Sequence, residues 1–63
     1  MTLIPVNSSA IAYVGYDYGH LYVVFHSSPK MYDHPGVPYG VFEEFMEAAS
    51  MGHYYARYIR DHY

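Results

Sequence analysis

Residues 13–25 read YVGYDYGHLYVVF, and the reading of this stretch decides the fold. Its second half runs into His20-Leu21-Tyr22-Val23-Val24-Phe25-His26, which is dense in β-branched and aromatic residues and reads as a strand. Ala10 to Tyr16 has the same character. Asp17-Tyr18-Gly19 between them is a short turn, with Gly19 able to take a positive φ. The two strands therefore form a β-hairpin. Strand side chains alternate between faces, so Leu21, Val23 and Phe25 share one face and His20, Tyr22, Val24 and His26 the other. In the first strand Ala10, Ala12, Val14 and Tyr16 fall on one face, Ile11 and Tyr13 on the other. The small residues are expected toward the core, with Tyr13 outside.

On either side of the hairpin the pattern is simpler. Residues 1–8 read as an extended lead-in. Ser27-Ser28-Pro29-Lys30 turns the chain into a third, short strand, Met31 to His34, which Pro35-Gly36 stops. The period then changes. Val41, Phe42, Phe45, Met46 and Ala49 recur at helical spacing, with Glu43, Glu44 and Glu47 on the opposite face. Pro38 suits the first turn of that helix, where its missing N–H has no intrahelical partner to lose. Ser50-Met51-Gly52 interrupts the pattern, with Gly52 as its C-cap. His53 to His62 reads as a second helix whose apolar stripe is Tyr55, Tyr58, Ile59 and His62. The order βββαα gives one α+β domain over residues 1–63, with a three-stranded antiparallel sheet and two helices on one of its faces. Leu21, Val23, Phe25, Phe42, Phe45 and Ile59 are the expected core, with Tyr16 and Tyr55 filling it and their hydroxyls at its rim.

The composition narrows the function. A chain of 63 residues buries only about 60% of the surface its unfolded form exposes, so its stability is marginal. The absence of cysteine removes disulfides, thiolate metal sites and a cysteine nucleophile, and is compatible with a reducing compartment. The first residues lack a basic start and an apolar run, and no stretch approaches the roughly 20 apolar residues of a membrane span. A soluble intracellular domain, with no membrane contact, is expected. Three basic residues, Lys30, Arg57 and Arg60, face six acidic ones, for a net charge of −3. Affinity for nucleic acid rests largely on neutralised phosphates, so this balance argues against ordinary RNA or DNA binding.

Ten tyrosines among 63 residues are more than a small core can hold. Two helices cover one face of the sheet, which leaves Tyr13, His20, Tyr22, Val24 and His26 uncovered on the other. Half-exposed strand positions tolerate aromatics, which explains one or two such residues. A contiguous patch marks a contact site, and tyrosine is enriched at interface hot spots. Tyr13, His20, Tyr22 and His26 are the expected partner-binding set, for a protein partner or a second copy of the chain.

Catalytic chemistry finds little support. Ser8, Ser9, Ser27, Ser28 and Ser50 fall in turns or termini, without the context of an activated nucleophile. His20 and His26 share a face but stand roughly 20 Å apart, too far for one ion. His34 or His53 with Asp33 is the only other metal-like grouping, and there is no phosphate loop or dinucleotide fingerprint. No catalytic residue, metal or cofactor is expected. Arg57 and Arg60, three apart on a helix, either grip an anion with Tyr54 stacking nearby or pair with Asp61 and the acids of the first helix.

The ordered set Gly15-Tyr16-Asp17, Leu21-x-Val23-x-Phe25, Tyr32, Val37-Pro38, Ser50-x-Gly52, Tyr54-Tyr55-x-Arg57 and Ile59-Arg60 resembles the KTSC domain. That is a short bacterial and phage module, also found at the C-terminus of some lysyl-tRNA synthetases. The resemblance runs from about Ser8 to Tyr63. It implies a stand-alone or appended domain of unknown function, suggested to bind RNA, with Tyr54, Arg57 and Arg60 as the ligand-contacting set. Two positions depart from the pattern. The family's central Tyr-x-Tyr falls on Tyr32 and His34, and its Ser-Lys-Gly is Ser50-Met51-Gly52, which removes a cation able to reach a phosphate. The expectation is a non-catalytic binding module that acts through its tyrosine- and histidine-rich face, in the manner of small phage inhibitors of host complexes. RNA or nucleotide binding through Tyr54, Arg57 and Arg60 is the alternative.

Overall fold

The computed structural model describes residues 2–63. Four antiparallel strands run in sequence order across one sheet: β1 (Ile4–Pro5), β2 (Ile11–Asp17), β3 (His20–Phe25) and β4 (Met31–His34). Two helical segments follow, α1 (Tyr39–Glu47) and α2 (Met51–Tyr54), the second running on into a π-helical turn, Tyr55–Ile59. The α+β order holds, and the sheet has one strand more than the three expected. The extra strand, Ile4 and Pro5 paired with Val14 and Tyr13, lies in the expected lead-in. Two residues, one of them proline, carry no period from which a strand can be read, and Pro5 is tolerated because β1 is an edge.

The hairpin closes through the two-residue loop Tyr18-Gly19, since Asp17 pairs with His20. Both loop residues have positive φ, 49° and 78°, the type I′ pattern whose twist matches the flanking strands. Tyrosine is a costly occupant of the first position, and the side chain of Tyr18 is 96% exposed.

One irregularity decides which residues of β2 face the core. The register passes from Ile11 opposite Phe25 directly to Tyr13 opposite Val24, so Ala12 is an extra residue. This bulge resets the alternation and turns Ile11 to the same side as Val14. Both are fully buried. The expectation that Ile11 lies outside with Tyr13 is thereby corrected: Ala10 is exposed, Ala12 half-buried, and the large apolar residue is inside.

The core consists of Ile11, Val14, Leu21, Val23, Val37, Phe45 and Ile59, joined by Met51 and Tyr55. Phe25 and Phe42 pack against it without complete burial. Tyr16 stacks on Phe42 with ring centroids 4.8 Å apart, and its hydroxyl donates to the Val37 carbonyl at 2.6 Å. The tyrosine thus fills space with its ring and satisfies its oxygen at the rim, as expected of it. Val37 in turn donates from its N–H to the Gly19 carbonyl at 2.8 Å, which ties the segment before α1 to the hairpin.

The second helix begins earlier than its sequence suggests. Ser50 is the N-cap, its hydroxyl accepting from the His53 N–H at 3.3 Å. Gly52 therefore sits in the first turn and not at a C-cap. Its role is steric, because a Cβ at Gly52 would stand 3.2 Å from the Ala10 Cβ. The π turn carries an i to i+5 bond, Arg60 N–H to the Tyr55 carbonyl at 2.9 Å. With this start and this wider turn the buried stripe is Met51, Tyr55 and Ile59, while Tyr58 and His62, expected in the stripe, are exposed.

Candidate functional site

The face of the sheet opposite the helices is built in rows by the strand register. Pro5, Tyr13, Val24 and Met31 lie opposite one another across all four strands. The next row on that face is Gly15, Tyr22 and Asp33, and beyond it Asp17 faces His20. Tyr13 is 44% and Met31 43% exposed, and Val24 and Tyr22 are half-buried. The face is thus apolar along one row and polar at the other end.

The polar end is internally organised. His20 donates from Nδ1 to Asp33 Oδ1 at 2.8 Å, and its ring stacks on Tyr22 with centroids 6.0 Å apart and an interplanar angle of 15°. The Tyr22 hydroxyl is held above its usual range, first by desolvation and then by the carboxylates of Asp33 and Asp17. Tyr22 therefore remains a neutral donor beside two acids.

Of the expected partner-binding residues, Tyr13, His20 and Tyr22 share this face. His26 follows the end of β3, where its Nε2 donates to the Ser8 carbonyl at 2.9 Å. It lines a shallow depression of about 380 Å³ together with Tyr13 and Val24. Met31 completes the apolar row and was not among the residues singled out by sequence; its partnership with Val24 depends on a cross-strand register that the sequence does not display.

The second expected set is not held together in the same way. The Tyr54 hydroxyl donates to Glu44 Oε1 at 2.9 Å, and its ring lies 5.9 Å from Phe45 and 4.7 Å from Tyr58. Burial, then the hydrogen bond and charge of Glu44, then Tyr58 and Tyr63, push its pKa up to about 12. Tyr54 therefore fastens the second helical segment to α1, with its hydroxyl and ring both engaged within the domain. Arg57 lies over the Tyr58 ring at 5.6 Å, in place of the ion pair with Asp61 that its spacing suggests. Arg60 Nε approaches Asp61 Oδ2 at 3.9 Å with both side chains largely exposed. Contacts of that kind contribute little.

A four-stranded antiparallel meander with two short helices on one face defines a small α+β domain. Among solved structures it is similar to the crystal structure of a KTSC domain protein from Yersinia pestis, with a TM-score of 0.89 and 32% identity over 97% of this chain and 87% of that one. The KTSC domain family model matches residues 7–63. The chain belongs to the KTSC domain family. No curated protein matches it. The family's lysine position holds Met51, which is 8% exposed and part of the core, so an apolar residue there has a packing role. Among the described residues no helix is long and apolar enough to cross a membrane.

Proposed function

We propose that this domain is a non-catalytic binding module of the bacterial cytoplasm, and that it docks a protein through the uncovered face of its sheet. The observation that carries this reading is the apolar row Pro5, Tyr13, Val24 and Met31, continuous across four strands and adjoined by Tyr22. No element of the described chain covers it. Tyrosines here supply large apolar area with few rotatable bonds, which is what an interface anchor needs. Asp17 and Asp33 at the polar end favour a partner with an apolar strip beside a basic side chain. A small module with such a face can block a larger assembly by occupying the surface that assembly needs.

The test uses the domain as bait in bacterial lysate, with Tyr13→Ala, Tyr22→Ala, Arg57→Ala and Arg60→Ala as parallel baits. A protein retained by the wild type and by both arginine variants, and lost from both tyrosine variants, is the expected result. Retention that ignores the tyrosines and follows the arginines contradicts it. Nucleic-acid binding is the weaker reading, since Tyr54 is engaged with Glu44 and Arg57 with Tyr58.

A further inference from the structure

On the other side of the sheet, a cleft of about 510 Å³ opens between the π turn and the core-facing side chains of β3 and β4. Phe25, Tyr32, His34 and Tyr55 form its aromatic walls. Phe25 meets Tyr32 edge-on at 5.7 Å and Tyr55 edge-on at 5.1 Å, and His34 meets Tyr55 at 5.3 Å. The polar atoms of the base satisfy one another: the Tyr55 hydroxyl donates to His34 Nε2 at 2.8 Å, and His34 Nδ1 donates to the Tyr63 backbone oxygen at 3.1 Å. His34 and Tyr55 therefore offer ring surface and no free donor.

The helical wall supplies the remaining chemistry. Gly52, Ala56 and Arg60 recur every four residues along it. The first two leave room, and the third brings a guanidinium. Arg60 is the one formally charged side chain among the lining residues, and its contact with Asp61 is long and exposed. The π turn, a rare form that recurs at functional sites, lies directly on this wall. Volume and aromatic lining are those of a small-molecule site.

We infer that this cleft binds a small planar aromatic carboxylate, its ring held among Phe25, Tyr32 and Tyr55 and its carboxylate paired with Arg60. One cation matches one negative charge, and a guanidinium fork fits a carboxylate through two parallel hydrogen bonds. The site is separate from the sheet face proposed above, and Tyr22→Ala leaves it intact.

The probe is indole-3-acetate, followed by amide and ring chemical shifts of the labelled protein, with indole-3-acetamide as the uncharged control. Saturable shifts confined to the neighbourhood of Phe25, Tyr32, His34, Tyr55, Ala56 and Arg60 are expected. The dissociation constant should be on the order of 1 mM or tighter for a ligand of about a dozen heavy atoms. Arg60→Gln should weaken the acid by about tenfold, to the level of the amide. Ala56→Leu, a change at an exposed position that fills the cleft, should abolish binding of both. Equal binding of acid and amide, shifts centred elsewhere, tighter binding of uridine monophosphate at the same residues, or no saturation by about 10 mM would each overturn the assignment.

Discussion

The Tyr55 hydroxyl donates a 2.8 Å hydrogen bond to Nε2 of His34, the one buried polar residue among those described. Two residues that are 21 positions apart thereby join β4 to the π turn. Removing the hydroxyl leaves the imidazole acceptor buried and unpaired. Tyr55→Phe should therefore destabilise by about 1–3 kcal/mol, more than the loss of an exposed hydroxyl, with the urea m-value unchanged. A neutral result would mean that water reaches His34.

Phe45 and Ile11 test the core. Both are fully buried, and truncation to alanine should cost about 3–5 kcal/mol for Phe45 and about 2–5 for Ile11. For so short a chain that is a large share of the total, so Phe45→Ala should be mostly unfolded at ambient temperature. Urea melts followed by circular dichroism measure both. Ala10→Ser, at an exposed position that simple alternation would bury, should be close to neutral.

The contrast between Ile11 and Ala10 shows where sequence stops. The β2–β3 pairing, β4, α1 and the helical cover of one face follow from period and composition, because each is a repeated local signal. A bulge is a single added residue, and at Ala12 it cancels the alternation on which face assignment depends. The π turn has no residue signature either; it appears only once Met51, Tyr55 and Ile59 are packed. At the candidate surfaces, Tyr13, His20 and Tyr22 were legible because alternation holds from Tyr13 onward. Met31 was not, nor was the engagement of Tyr54 by Glu44, since cross-strand and interhelical partners are set by the fold.

Tyr18 offers a gain of stability. It occupies a left-handed position, φ 49°, with its side chain in solvent. Asparagine is preferred there in a type I′ turn, so Tyr18→Asn should stabilise by about 0.5–1 kcal/mol, read as a rise in the urea midpoint. A loss would show that Tyr18 packs onto the domain in solution.

Tyr54 sets an alkaline limit. Its pKa is raised from 10.0 to about 12, and the neutral form is the one the fold favours. The stabilisation is fully present below about pH 10 and is lost as pH climbs through the folded-state value near 12. Ultraviolet titration of tyrosinate should show a late-ionising group, beside the raised Tyr22 and Tyr55, that disappears in Tyr54→Phe. In Glu44→Gln it should ionise earlier, because the carboxylate's charge is gone and a neutral amide oxygen is the weaker acceptor. An unchanged titration in Glu44→Gln would assign the shift to burial and the neighbouring tyrosines.

The uncovered sheet face is proposed as a contact surface and not a second core. The direct measurement is the effect of Tyr22→Ala on two quantities, unfolding free energy and retention of the protein partner, beside the same pair for Phe25→Ala. Tyr22 is half-buried on the open face, and Phe25 packs on the core side. Tyr22→Ala should cost less than about 1 kcal/mol of stability and abolish retention, while Phe25→Ala should cost clearly more. Equal losses of stability from the two variants, with retention by folded Tyr22→Ala unchanged, would contradict it.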